Sequence, residues 1–375
     1  MSYRIISADC HIDMTWMPGD LWVKNVPAKL RDRVPQVRET GDGPRWFAEE
    51  KELGVYGGLG FGFDRVQRGF SKHVERMFDV GFYEGGPHPT TPDLRLKDQD
   101  LDGIDAEVMY GILGIGMRMQ DRELIQAVYE VYNSWAADFC KTNPRRFVGL
   151  ACIPNHDPEI AAKEVRRAAA LGLKGADFAV STAAFPIWHG AWDPLWEAAQ
   201  ECRFPISFHS TGFKGLRTPD TPQMEQEYML EWRLVRSALF QLDGMEVLVS
   251  LLSSGACEKY PDFKFVLGEA GVTWIPYVLD RLDTEYNDRA RALGFSMKPS
   301  DYFRRQGYTT YQQDQFMEPI IPLVGEDNIL WGADYPHPDC IWPDSKKHIE
   351  KNLGMLPEHV RKKITCDNVA KLYRI

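Results

Sequence analysis

Four side chains in this sequence form a set able to hold a metal ion: Asp9, His11, His209 and Asp334. Imidazole nitrogen and carboxylate oxygen are ligand types for Zn²⁺, Mn²⁺ and Fe²⁺. An ion held by three or four such groups keeps room for water or substrate. There it polarises a substrate oxygen or lowers the pKa of bound water. Asp9 and His11 are two residues apart, and residues i and i+2 on a strand point the same way, so both can face one ion. Taken singly, each has a plain structural reading: an Asp capping a turn, a His hydrogen-bonded in a core. What joins the four is position, because each closes an apolar run.

Those apolar runs are the elements that must position the ligands. Eight segments read as strands: Arg4–Ala8, Ala106–Tyr110, Phe147–Ile153, Leu173–Phe178, Pro205–Phe208, Phe265–Gly268, Gly307–Tyr311 and Asn328–Gly332. Several are nearly continuous in apolar residues, as strands covered on both faces are. Helical patterns separate them. Asp157-Pro158-Glu159 supplies an N-cap, a proline at the first helical position and an early acid, and the alanine-rich stretch that follows stops at Gly172. Asp193-Pro194 opens a helix ending near Cys202, and Glu123–Lys141 is a longer helical pattern. The rhythm of strand, loop and helix predicts βα units and a parallel sheet. An open doubly wound sheet would carry a Gly-rich phosphate loop after its first strand. Here that strand ends in Asp9-Cys10-His11. The expectation is therefore an α/β fold, a (β/α)₈ TIM barrel, formed as one domain over residues 1–375. The four candidate ligands then sit at C-terminal strand ends, where barrel enzymes keep their chemistry.

The main irregularity is residues 14–99, between the first and second strands, far longer than an ordinary βα connection. The segment is rich in Gly, Pro and aromatic residues and reads as a lid or wall over the barrel mouth. Its glycines from Gly57 to Gly62 lack the strand that a nucleotide loop requires, so a flexible lid is the better reading. A second long connection, from Ser210 to about Leu234, follows the fifth strand on the same side.

Further residues extend the candidate site. Glu269 follows the sixth strand and offers an acid/base group or a ligand to a second ion, against a simple ion pair with a neighbouring Arg. Asp13 is either a loop carboxylate or another ligand of the first strand. His337, between two prolines, is either structural or a ligand or substrate contact. His88, also between prolines, is a candidate to line the entrance, and Lys214 and Arg217 are candidates to pair with a substrate carboxylate. Lys174 reads as a lysine leaning on a rim carboxylate rather than a carbamylated bridge. His73, Trp16, Trp22, Trp188 and Trp192 read as packing residues.

Composition sets the outer bounds. The chain has 375 residues, 44% hydrophobic and 26% charged, which predicts a sizeable core. A net charge of −10 and the lack of a Lys/Arg block disfavour nucleic acid as a partner. No apolar run is long enough for a membrane span, and the first residues read as a strand rather than a secretory leader. Seven scattered cysteines without a C-x-x-C pair fit reduced thiols in a cytoplasmic protein. Self-association, as a homo-oligomer or with a paralogue, is expected of a large tryptophan-rich barrel.

Several motifs together resemble the amidohydrolase-related family, in the branch that includes aminocarboxymuconate-semialdehyde decarboxylase. They are Ser7-Ala8-Asp9-Cys10-His11, the stretch from Lys97 to Glu107, Lys259-Tyr260-Pro261-Asp262-Phe263-Lys264-Phe265, Glu269-Ala270-Gly271-Val272-Thr273-Trp274-Ile275-Pro276 and Trp331-Gly332-Ala333-Asp334-Tyr335-Pro336-His337-Pro338. The resemblance implies a divalent metal (Zn, Mn or Fe) and hydrolysis or non-oxidative decarboxylation of a small carboxylated substrate. The family's H-x-H or E-x-H signature falls on Asp9 and His11, its strand-five His on His209 and its strand-eight Asp on Asp334. The branch's His at the tip of strand six is replaced by Glu269, which would then be the proton carrier, with His337 as a second catalytic candidate. Asp9, Asp13, Glu269 and Asp334 around three histidines also leave open a centre of two Fe or Mn ions bridged by carboxylates, hence an oxygenase that hydroxylates a small acid. A non-catalytic barrel subunit is the third alternative.

Overall fold

Apolar runs too short for helices pair side by side. The computed structural model describes residues 4–58, 66–116, 118–209 and 221–375. Its strands are β1 (Ile6–His11), β2 (Gln36–Thr40), β3 (Gly43–Ala48), β4 (Lys51–Val55), β5 (Ala106–Tyr110), β6 (Phe147–Cys152), β7 (Gly175–Asp177), β8 (Ile206–His209), β9 (Phe265–Gly268), β10 (Gly307–Tyr311) and β11 (Ile329–Trp331). Eight of them form one sheet in the order β1-β5-β6-β7-β8-β9-β10-β11, each pair parallel. The sheet curls until its last strand meets its first. The Asp334 backbone N–H donates to the Asp9 carbonyl at 2.8 Å, and the His11 N–H donates to the Tyr335 carbonyl at 2.6 Å. The expected (β/α)₈ barrel is present, with a strand at each of the eight predicted places.

Helices wrap the barrel; Asp193 is the first residue of its helix, with no side-chain cap, whereas the predicted Asp157 cap is present. Asp157 Oδ1 accepts from the Glu159 and Ile160 N–H groups at 2.8 and 3.1 Å and starts helix Pro158–Leu171, which Gly172 ends at φ 101°. Asp121 caps helix Arg122–Thr142 in the same way. The half-polar β10 keeps its place because its hydroxyls are satisfied. Thr309 Oγ1 donates to the Gly271 carbonyl at 2.7 Å, and Thr310 Oγ1 donates to Asp9 Oδ2 at 3.0 Å.

Burial divides into two apolar layers. One lies between the strands and the helices. The other fills the barrel, with Ile6, Ala8, Val108, Val148, Leu150, Val266 and Leu330 joined by Val369, Leu372 and Tyr373 of the C-terminal helix Asn368–Tyr373. This helix closes the floor of the barrel opposite the strand tips.

The segment between β1 and β5 is folded. β2, β3 and β4 form an antiparallel sheet, which the sequence reading missed. Their polar and charged residues, such as Arg38, Glu39, Lys51 and Glu52, hide a two-residue apolar alternation. Trp46 of β3 and Trp22 are fully buried against each other, and Trp22 Nε1 donates to the Val128 carbonyl at 3.0 Å. The insertion is thereby fixed to the flank of helix Arg122–Thr142. Helix Pro92–Asp102 completes it and ends at Gly103 with φ 75°. Among the described residues no helix is long and apolar enough to cross a membrane.

Candidate metal centre

The first strand aims its candidate ligands by an irregularity. Ile6 and Ala8 face the barrel interior, whereas Cys10 packs in the outer layer. Strict alternation would put all three on one side. The β1–β5 register slips between Ser7 and Cys10, and this bulge changes the parity. It lets both Asp9 and His11 face the mouth, a recurrent use of bulges beside active sites. Closure supplies the next ligand. A Cβ on Gly332 would lie 2.4 Å from the Asp9 Cβ, so only glycine lets β11 run close enough to bring Asp334 beside Asp9.

The predicted ligands then converge. His11 Nε2 lies 3.3 Å from Asp9 Oδ1 and 3.0 Å from Asp334 Oδ1. His209 Nε2 lies 3.6 Å from Asp9 Oδ1 and 3.5 Å from Glu269 Oε2. His337 stacks on His11 with ring centroids 4.0 Å apart. Its Nδ1 is 2.9 Å from Asp334 Oδ1, and its Nε2 is 3.1 Å from Asp13 Oδ2. Two overlapping donor groups result, Asp9–His11–His209 and His11–Asp334–His337.

Asp9 Oδ1, His11 Nε2, His209 Nε2 and both Asp334 oxygens are buried without a hydrogen-bond partner. Some approach one another at ion-pair distance, but the angles for hydrogen bonds are missing. Buried polar atoms are nearly always satisfied, so orphans that share one space are the expected signature of a cation site. With metal–ligand bonds of ~2.1 Å, two donors on one ion stand ~3.0–3.4 Å apart. The donor separations just given lie close to that range. The donor set therefore fits a divalent ion.

Backbone strain and supporting hydrogen bonds hold the tips in place. Glu269 and Asp334 adopt φ of 51° and 60°, a left-handed conformation that costs a non-glycine residue about 1–3 kcal/mol. The Glu269 N–H donates to Asp9 Oδ2 at 3.0 Å and to Thr310 Oγ1 at 2.6 Å. Thr310 donates to the same Asp9 oxygen, so Oδ2 is committed and Oδ1 is left for an ion. Tyr110 packs its ring against both His11 and His209 and shares a hydrogen bond with Ser207 Oγ at 2.9 Å.

Charge follows from this crowding. Burial opposes ionisation of Asp9, yet His11 and His209 outweigh it and hold its carboxyl well below the usual range. Burial likewise opposes a charge on His209, but Asp9, Glu269 and Asp177 raise its pKa to about 10. Burial and the neighbouring charge of Asp334 push Glu269 well above the usual carboxylate value.

Asp9, His11, His209, Asp334, Glu269 and His337 are thus gathered in one place, with Asp13 attached through His337. His88 is not among them. It is buried under the insertion, its Nδ1 2.8 Å from Asp98 Oδ2 and its Nε2 2.8 Å from the Glu84 carbonyl, so both ring nitrogens are occupied away from the entrance. Lys214 and Arg217 lie outside the described residues. Lys174 enters β7 from the end opposite the mouth, where it cannot bridge ions. His73 packs on Cys340, Nε2 to Sγ 3.2 Å. The sequence reading missed Asp177, Thr310, Tyr110 and Ser207. Asp177 closes β7 as His209 closes β8, and its position at a strand end was the available signal. It is buried with Oδ1 unpartnered, and burial pushes its pKa to about 7.

A parallel barrel with carboxylate and imidazole donors converging at its strand tips defines a metal-dependent barrel protein. Comparison with known proteins narrows the class. The amidohydrolase family profile matches residues 8–375, and the chain belongs to that family. A gamma-resorcylate decarboxylase from Polaromonas sp. is 26% identical over 298 residues, 76% of this chain and 87% of that protein. Among solved structures, an amidohydrolase from Mycobacterium avium subsp. paratuberculosis superposes with a TM-score of 0.77 at 19% identity, covering all of both chains. A dihydroxybenzoic acid decarboxylase from Polaromonas sp. JS666, with bound manganese and 2-nitroresorcinol, gives a TM-score of 0.63 at 21% identity over 99% of this chain and 97% of that one. The relatives fall in the decarboxylase branch that the strand-tip motifs resemble.

Proposed function

We propose that this chain is a divalent-metal-dependent enzyme that removes CO₂ from a small carboxylated aromatic compound, or hydrolyses a substrate of similar size. The observation that carries the reading is the convergence of unpartnered buried donors from distant strand tips. Asp9, His11, His209 and Asp334 would hold the ion; Mn, Zn and Fe all suit these donors. When bound, it supplies a Lewis acid for a substrate oxygen. The manganese in the dihydroxybenzoic acid decarboxylase supports the choice of metal.

The chain's own residues supply the rest. Burial and Asp334 favour a protonated Glu269, which suits it to deliver a proton to the carbon that loses the carboxylate. A proton taken up from solvent, one for each CO₂ released, restores the Glu269 acid. The sides of His209, Glu269 and His337 are the most exposed of the cluster, at 11%, 13% and 14%, so substrate would arrive over them. Lys214 and Arg217 would pair with its carboxylate. The insertion would act as the lid, with residues 14–99 forming one domain with the barrel. Self-association belongs to the same reading, since helix Met229–Leu239 leaves Leu230 and Leu234 in solvent. So does a cytoplasmic location, in keeping with seven free thiols.

Manganese-loaded protein should release CO₂ from a hydroxybenzoic acid such as gamma-resorcylate, and Glu269→Gln should suppress release while leaving protein folded. A panel of hydroxybenzoates and amide or lactone substrates that all remain intact would sink the proposal. A second reading, hydroxylation of a small acid with O₂, draws on the surplus of carboxylates at the mouth. Substrate-dependent O₂ uptake without CO₂ release would select it.

A further inference from the structure

Apart from the metal centre, the same end of the barrel holds a second hollow with a fixed wall. Residues 178–189 leave the C-terminal end of β7, the strand beside the one that His209 closes. Asn155 Nδ2 donates to the Ala179 carbonyl and to Thr182 Oγ1, both at 2.7 Å, and the Asn155 carbonyl accepts from the Ala184 N–H at 2.9 Å. Trp192 Nε1 donates to the Phe185 carbonyl at 3.1 Å. The loop is thereby pinned where it faces helix Asp243–Ser253.

Between loop and helix lies a cavity of about 170 Å³, with walls that include Val180, Ala183, Phe185, Pro186, Ile187 and Val247. An apolar cavity of about 150 Å³ is enough to hold a benzene ring. The space therefore suits one six-membered aromatic ring and little more.

Two polar side chains complete the lining. Glu246 and Ser250 stand one helical turn apart on one face of the helix, and both border the cavity. Ser250 is 8% exposed, whereas Glu246 lies at the solvent edge. Neither side chain has a hydrogen bond or ion pair among the described residues. A carboxylate accepts hydrogen bonds and gives none, so Glu246 suits a ring hydroxyl. The same group repels a ring carboxylate. Among the described lining residues no Lys, Arg or His stands by to offset that repulsion.

We infer that this cavity is a second ligand site, independent of the metal, for a small neutral phenol. Such a phenol is what remains when a hydroxybenzoic acid loses CO₂. The assignment of the natural ligand as the product therefore rests on the decarboxylase reading above, while the site itself rests on the cavity and its lining.

The test is a titration of full-length, metal-loaded protein with 4-fluorophenol and, separately, 4-fluorobenzoate, followed by fluorine magnetic resonance. Ala184→Trp, at an exposed part of the wall, should weaken the phenol by about 10-fold or more by filling the space and leave the benzoate unchanged. Ser250→Leu fills it from the helix side and serves if the new tryptophan turns outward. Glu246→Gln should narrow the preference for phenol over benzoate by about 10-fold. His209→Ala, expected to lose its metal, should bind the phenol as the wild type does. Equal phenol binding by the wild type and both filled variants would place the ligand elsewhere and overturn the site, as would no binding at all. A phenol held in the cavity of a protein that releases CO₂ from no hydroxybenzoate would uphold the site and remove its link to a product.

Discussion

Two clusters of buried charge lie within a few residues of each other on β1 and β5, and they have opposite characters. Under the insertion, Arg95 is fully buried and every branch of its guanidinium is used. Nε and Nη2 bond the two oxygens of Glu107, and Nη1 donates to the carbonyls of His11 and Pro89 at 2.8 and 2.9 Å. Gln99 adds a further donor to Glu107. On Asp9, His11, His209 and Asp334 at the strand tips, by contrast, five donor and acceptor atoms are left open. Burial of charge is common to both and distinguishes nothing. What separates a structural cluster from a binding centre is whether its hydrogen-bonding capacity is closed by the protein.

The largest expected effect breaks the open cluster. His209→Ala should lower activity by more than ~100-fold, beyond the usual cost of losing a group that only supports a ligand. It should remove most bound metal and leave the circular dichroism spectrum near wild type. Retention of full metal content would exclude His209 as a ligand. Breaking the closed cluster should do the reverse. Arg95→Met leaves Glu107 buried and uncompensated, which should cost about 3–5 kcal/mol of stability, read by chemical denaturation, while folded protein still takes up its metal. Loss of metal without loss of stability would erase the contrast.

The smallest effect sharpens it with a residue that belongs to neither extreme. Asp177 is buried with one oxygen open, and its pKa is raised by burial to about 7. The folded form therefore holds a proton that the unfolded chain releases near pH 4. The associated stability is full at low pH and declines as pH rises through 7. In metal-free protein, Asp177→Asn should remove roughly 2 kcal/mol of stability loss between pH 5 and 7. Identical pH profiles for the two proteins would show that Asp177 ionises normally.

Much of this architecture was legible in the sequence because the signals were local. Asp157-Pro158 marks a helix start by backbone chemistry alone, and the barrel strands announce themselves as apolar runs. The strand-tip candidates followed, since their positions are those of the runs that end in them. Three things were hidden. The β1 bulge depends on pairing with β5, so the simple i, i+2 argument brought Asp9 and His11 to one side by an incomplete route. The β2–β4 sheet is built from charged residues whose alternation is visible only once Trp46 is known to face Trp22. His88 looked accessible between its prolines, but Asp98 and the Glu84 carbonyl claim both its nitrogens. Partnership across the chain, unlike propensity, leaves no trace in nearby residues.

The seam where β1 meets the segment after β11 has a consequence for biosynthesis. Asp9 is made long before Asp334, 325 residues further along the chain, and the hydrogen bond between their backbones closes the ring. No product of the ribosome that stops short of Asp334 can assemble the full donor set. If these donors hold an ion, loading of the complete set must wait until the chain has been made through Asp334.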